Sequence, residues 1–157
     1  MPPRRTAGES SASSPKLLDT VRLSADGLAK VLGDLEARLM REVWTLGRPA
    51  TAREIHARLI RSHRVSPLTT ITVLNRLAQK RILRRTNQDD LLHYEARMSE
   101  AEFMTHASRR VVAGILSFGP DAVAASFVDV LAERDPEQLD ELARLIRQKR
   151  RARDNGK

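Results

Sequence analysis

The stretch that decides the fold is Ser66-Pro67-Leu68-Thr69-Thr70-Ile71-Thr72-Val73-Leu74-Asn75-Arg76-Leu77-Ala78-Gln79-Lys80. Ser66 offers a capping hydroxyl to the orphan amides of a helix, and Pro67 falls in the first turn, where a missing amide costs nothing. At about 100° per residue the helix that follows has two unlike faces. Leu74, Leu77 and Ala78 share one, which is expected to pack; Thr69, Thr72, Arg76 and Lys80 share the other, which is expected to be exposed. Short hydroxyls and an arginine on one exposed face suit a helix that enters a DNA major groove. The hydroxyls can meet base edges and phosphates, and a guanidinium can grip guanine or a phosphate.

Working outward, helix signals precede this stretch. From Asp34, the residues Leu35, Leu39, Val43 and Leu46 recur at helical spacing, widened by Met40 and Trp44, until Gly47 and Pro49 stop the run. Thr51-Ala52-Arg53-Glu54 has the capping-box pattern and opens a second helix to about Ser62, with Ile55 and Leu59 on one face. Downstream, Leu83–Thr86 and Leu92–Ala96 are short extended segments around a polar turn, Asn87-Gln88-Asp89-Asp90. Three helices and a hairpin predict a winged helix-turn-helix over residues 32–97.

Beyond it the chain is helical. Ser99-Glu100-Ala101-Glu102 is another capping box, opening a helix with Met104, Ala107, Val111 and Ile115 on one face that ends near Gly119-Pro120. Val123, Ala124, Phe127 and Leu131 mark a fifth helix. Asp135-Pro136-Glu137-Gln138 caps a sixth, which carries Leu139, Leu142, Leu145 and Ile146. Three apolar stripes on so short a segment cannot easily be buried alone, whereas packing on a second copy buries them. The expectation is a mainly α protein with a helical dimerisation domain over 98–150, a core of Met104, Val111, Ile115, Phe127, Leu131, Leu142 and Ile146, and a basic tail at 151–157. Residues 1–31 are expected to form a weakly ordered arm. Met1–Pro15 mixes Pro, Ser, Gly and Arg without hydrophobic period, and Leu17–Leu32 is at most a short helix interrupted by Gly27 and Gly33.

Charge supports this division. The 157 residues carry 28 Lys and Arg against 20 Asp and Glu, and the excess is local: residues 33–97 hold 13 basic and seven acidic groups, while 98–157 hold ten of each. A local positive footprint is what a nucleic-acid surface needs. Aromatic content of 3% argues against base-stacking platforms. With no cysteine, disulfides, thiolate metal sites and cysteine nucleophiles are excluded. No Gly-rich phosphate loop, HExxH or nucleophile elbow is present, so catalysis is not expected, nor is any cofactor. No apolar run reaches the roughly 18 residues of a membrane span, and the N-terminus has no apolar leader, so an unexported cytoplasmic protein without a membrane partner is expected. His56 and His63, seven apart, with His93 or His106, raise a metal-sensing alternative; a third reading is a winged helix that grips a protein instead of DNA.

The chain also resembles a known family. Leu32-Gly33-Asp34-Leu35-Glu36, Met40 and Trp44, then Thr69, Thr72, Leu74 and Arg76-Leu77, with Tyr94 on the return strand of the hairpin, are similar to the penicillinase-repressor (BlaI/MecI) family over about Leu32 to Lys149. The resemblance implies a dimeric transcriptional repressor, with a winged helix-turn-helix that binds inverted-repeat operators in double-stranded DNA. Ser66, Thr69, Thr72, Arg76, Lys80, Arg84 and Arg85 are the residues expected to contact it. Four departures stand out. Thr70 occupies a packing position where the family usually has Val or Ile, and is expected to back-bond within its helix. Arg81 replaces a usual glycine. The wing tip is Gln88-Asp89-Asp90 where a Gly-Arg pair is common. Arg110-Val111 stands where the antibiotic-responsive members carry a protease-cut Asn-Phe bond, which leaves the inducer or protease partner open. The copper-responsive branch ends in clustered cysteines, and this chain has none.

Overall fold

The computed structural model describes residues 27–156. The expected arm Met1–Pro15, the first part of the helix expected within Leu17–Leu32, and Lys157 lie outside the described residues. What is described of that segment is a single 3-10 turn, Gly27–Lys30. The elements that follow are α1 (Asp34–Leu46), β1 (Ala50–Thr51), α2 (Ala52–Leu59), α3 (Pro67–Gln79), β2 (Leu83–Gln88), β3 (Leu91–Ala96), α4 (Glu100–Leu116), α5 (Pro120–Arg134) and α6 (Pro136–Asp154). The chain divides into two compact units after Ser108.

In the first unit the helix starts follow local chemistry. Thr51 Oγ1 accepts the Glu54 amide at 3.3 Å, while the Glu54 carboxylate accepts the Thr51 amide at 2.8 Å and its hydroxyl at 3.1 Å. Ser66 Oγ accepts the Thr69 amide at 3.1 Å. A cap of this kind stabilises by about 1 kcal/mol. α1 stops at Gly47, whose φ of 62° is left-handed backbone open to glycine at little cost. Leu39, Met40, Ile55, Leu59, Leu74 and Leu77 are buried where α1, α2 and α3 meet. Each contributes about 1.5–3 kcal/mol by leaving water.

The sheet is larger than the expected hairpin. β1 joins it antiparallel to β3, giving the order β1-β3-β2, with Ala50 opposite Tyr94. The hairpin strands also run further than the sequence suggests. Gln88 pairs with Leu91, leaving only Asp89 and Asp90 as the turn. Both have positive φ, 51° and 61°, as a type I′ turn requires, and that turn matches the right-handed strand twist. Aspartate tolerates this backbone better than most residues, which is why a polar four-residue segment closes on its last two.

α3 ends in a Schellman motif. The Ile82 amide bonds the Leu77 carbonyl and the Arg81 amide bonds the Ala78 carbonyl, both at 3.0 Å. Arg81 occupies the left-handed position with φ 60°, where glycine is the usual choice. Buried Ile82 and Leu77 supply the motif's apolar contact. The start of α4 belongs to the same unit: Phe103 is fully buried with its ring 5.5 Å from that of Trp44, and the Trp44 indole N–H donates to the Met98 carbonyl at 3.0 Å. The inward residues of this turn are therefore Phe103 and Ala107, whereas Met104, expected on the buried stripe, is exposed.

The second unit contains the end of α4 with α5 and α6. Asp135 caps α6 through the Gln138 amide at 3.2 Å, as the Asp-Pro-x-Gln pattern predicts. No residue of α5 or α6 is buried. Phe118 is 84% exposed, and Phe127, Val128, Val130, Leu145 and Ile146 are exposed as well. Of the residues expected to form a dimer core, Val111, Ile115, Leu131 and Leu142 are part-buried; Phe127 and Ile146, like Met104, are exposed. Among the described residues no single helix is long and apolar enough to cross a membrane.

Candidate nucleic-acid interface

Three polar ties, each from a different element, fix α3 in place. From α2, His56 Nδ1 lies 2.9 Å from Thr70 Oγ1. Thr70 is fully buried, and its hydroxyl also reaches the Ser66 carbonyl one turn back at 3.3 Å, the back-bond expected of a threonine in a packing position. From the wing, the Tyr94 hydroxyl donates to Asn75 Oδ1 at 2.9 Å, and Arg85 donates to the same oxygen at 3.1 Å. Burial pushes the Tyr94 phenol up, so it stays protonated and remains the donor. From α1, the Glu36 carboxylate receives Lys80 Nζ at 2.7 and 2.9 Å and the Gly33 amide at 3.1 Å. A helix held at its start, middle and end presents its remaining side chains in one orientation.

Among the exposed side chains of α3, Leu68, Thr69, Thr72 and Arg76 line one groove together. Thr69 Oγ1 lies 2.8 Å from Ser66 Oγ. Thr72 Oγ1 donates to the Leu68 carbonyl at 2.9 Å, which leaves its lone pairs facing outward as acceptors. The Arg76 side chain forms no hydrogen bond or ion pair with any described residue, so all its guanidinium donors are available. The face therefore offers an acceptor, a five-donor fork and apolar surface, the three kinds of group that read base edges.

The other expected contacts sit differently. Ser66 is exposed but serves as the cap. Lys80, expected on the open face, is drawn under the helix end: its side chain is 21% exposed and its ammonium is bound to Glu36, 44 residues earlier. The wheel places Lys80 correctly, but a four-carbon stem lets the charge travel to a buried partner that no local pattern reveals. Arg84 pairs with its cross-strand neighbour Glu95 at 2.7 Å, and Arg85 is spent on Asn75; both remain exposed enough to meet a phosphate as well.

Sequence reasoning missed four residues here. Asn75 and Glu36 carry two of the ties, and Leu68 stands on the open face. Arg64, exposed in the turn before α3, adds positive charge beside its N-terminus. The signal for Asn75 was present: it falls between the two faces of the wheel, where a polar residue must either be solvated or reach a partner. Of the histidines that raise the metal alternative, His56 is hydrogen-bonded through Nδ1 to Thr70. Among the described residues no three His, Asp or Glu side chains converge as a metal site.

Comparison with known proteins follows the same lines. Residues 32–148 match the family described as penicillinase repressor. Two relatives, each named transcriptional regulator BlaI, from Mycobacterium tuberculosis strains CDC 1551 / Oshkosh and ATCC 25618 / H37Rv, are 33% identical over 85 residues, covering 54% of this chain and 56% of theirs. The chain spans about half the length of the curated relatives it matches.

Proposed function

Because the chain belongs to the penicillinase repressor family over residues 32–148, we propose that it is a homodimeric transcriptional repressor whose two α3 helices enter successive major grooves of an inverted-repeat operator. The observation that carries this reading is the rigidly tied α3 with Thr69, Thr72 and Arg76 outward, in a segment of net positive charge. Thr69 and Thr72 meet base edges or phosphates, Arg76 binds guanine or phosphate, and Arg84, Arg85 and Ser66 approach the backbone. Lys80 acts through the position of α3. Proteins named as transcriptional regulators, with no catalytic assignment in their names, support the same class. The protein works in the cytoplasm, on duplex DNA.

The dimer is supported by α5 and α6, in which no residue is fully buried within one chain and Phe127 and Ile146 are exposed. Residues 32–97, with the start of α4 to Ser108 packed on them, are then the DNA-binding domain, and the rest of 98–150 is the dimerisation domain. Arg110-Val111, within α4, stands where the antibiotic-responsive members carry the cut Asn-Phe bond, so induction by cutting at that bond is not expected, and the inducer or protease that releases the repressor stays open. Footprinting the full chain on genomic DNA, with sedimentation to fix its mass, tests both parts. The reading requires a dimer that protects inverted repeats with centres about 34 Å apart. A monomer, or a protein that protects no such site and binds random duplex equally well, overturns it.

A further inference from the structure

We infer that Leu68 recognises the 5-methyl group of a thymine in the major groove, with Thr72 accepting a hydrogen bond from the amine of the paired adenine. The inference rests on the proposed function and makes it specific. Leu68 is the second residue of α3 and is 73% exposed, the most exposed large apolar side chain among the described residues of the first unit. It stands in the part of a recognition helix that reaches base edges, since such helices contact bases through their N-terminal residues. Its neighbour on the same face is Thr72, one turn on, whose hydroxyl proton is committed to the Leu68 carbonyl at 2.9 Å. Carbon surface and an outward acceptor are thereby locked side by side. In the major groove, an A·T pair is the one that presents a methyl group and an amine donor together; a G·C pair has a donor on cytosine but no methyl. Arg76, one turn further along the face, carries donors only and so favours a neighbouring guanine. Leu68 and Thr72 also line one groove with Arg76, with Gly33 before α1 and with Leu35 of α1, so the apolar surface opens toward the same space as the polar readers.

The test uses the full chain and the duplex it selects from a random-sequence pool. Uracil is substituted for thymine one position at a time, which removes the methyl and nothing else, and affinity is measured by fluorescence anisotropy for the parent and for Leu68→Ala. Circular dichroism checks that the variant folds. The expected result is one thymine per half-site whose replacement weakens parental binding about fourfold, the factor that corresponds to about 0.8 kcal/mol for one buried methyl, while Leu68→Ala no longer distinguishes the two duplexes. Uracil tolerated at every position by the parent, a selected site without thymine, or the same fourfold loss persisting in Leu68→Ala would each overturn the inference and leave the repressor reading intact. A pool that yields no preferred sequence overturns both.

Discussion

Lys80→Met should destabilise the protein far more than it weakens contact with DNA. The side chain of Glu36 is 5% exposed, and its carboxylate is held by Lys80 Nζ at 2.7 and 2.9 Å and by the Gly33 amide. Methionine keeps the stem of Lys80 and removes its charge, leaving a buried carboxylate with one neutral donor. Breaking a buried pair in this way costs about 3–5 kcal/mol. Lys80 itself is 21% exposed, so water can enter the vacated position and the lower end, about 3 kcal/mol, is expected. Urea unfolding followed by circular dichroism reads that loss as a shift of the midpoint at constant slope. The double variant Glu36→Gln with Lys80→Met keeps an acceptor for the Gly33 amide and has no buried charge, so it should recover at least about 1 kcal/mol of the loss. The reasoning is refuted if Lys80→Met is as stable as the parent and loses only DNA affinity. Lys80 would then be a phosphate contact, and its pairing with Glu36 would be worth nothing.

Other outcomes follow from single positions. Arg81→Gly should be more stable than Arg81→Ala by about 1 kcal/mol, because both remove the same side chain and only glycine relieves the left-handed backbone at φ 60°; thermal melting compares them. The Glu54 carboxyl is lowered from 4.5 to about 2, first by the Thr51 amide and then by Arg48. Its contribution to stability is complete above about pH 4.5 and is lost as pH falls toward 2, so the melting-temperature gap between parent and Glu54→Gln should narrow across that window and close at its foot. Asp89 and Asp90 set negative charge at the wing tip. Replacing both by Asn should tighten DNA binding in anisotropy titrations without changing the preferred sequence, since phosphate contacts position and base contacts specify.

The helices of this fold were legible wherever their ends are chemically marked within four residues, as at Ser66-Pro67, Thr51 with Glu54, and Asp135-Pro136 with Gln138. These caps close on local amides, so sequence distance and spatial distance coincide. The division of α3 into a packing and an open face was legible for the same reason. What escaped depends on partners far along the chain or on too few residues. Lys80 finds Glu36 across 44 positions, and Asn75 finds Tyr94 across 19. β1 is two residues long and carries no period. Phe103 and Met104 are adjacent, and which one turns inward is decided by Trp44, 59 residues before Phe103. The wing turn lies within Asn87–Asp90 as the polar run implies but takes only its last two residues, because Asp89 and Asp90 accept positive φ without a glycine to mark the place.

The central claim, that the open face of α3 reads DNA, is tested most directly by Arg76→Ala. Its guanidinium is exposed and bound to no other described residue, so its removal leaves the fold intact. Affinity for the selected duplex and for a scrambled one is measured for parent and variant at several salt concentrations, together with the melting temperature. The account predicts an unchanged melting temperature, a loss of about 1–3 kcal/mol on the selected duplex, and a smaller loss on the scrambled one. Equal affinity of parent and variant for the selected duplex would contradict it.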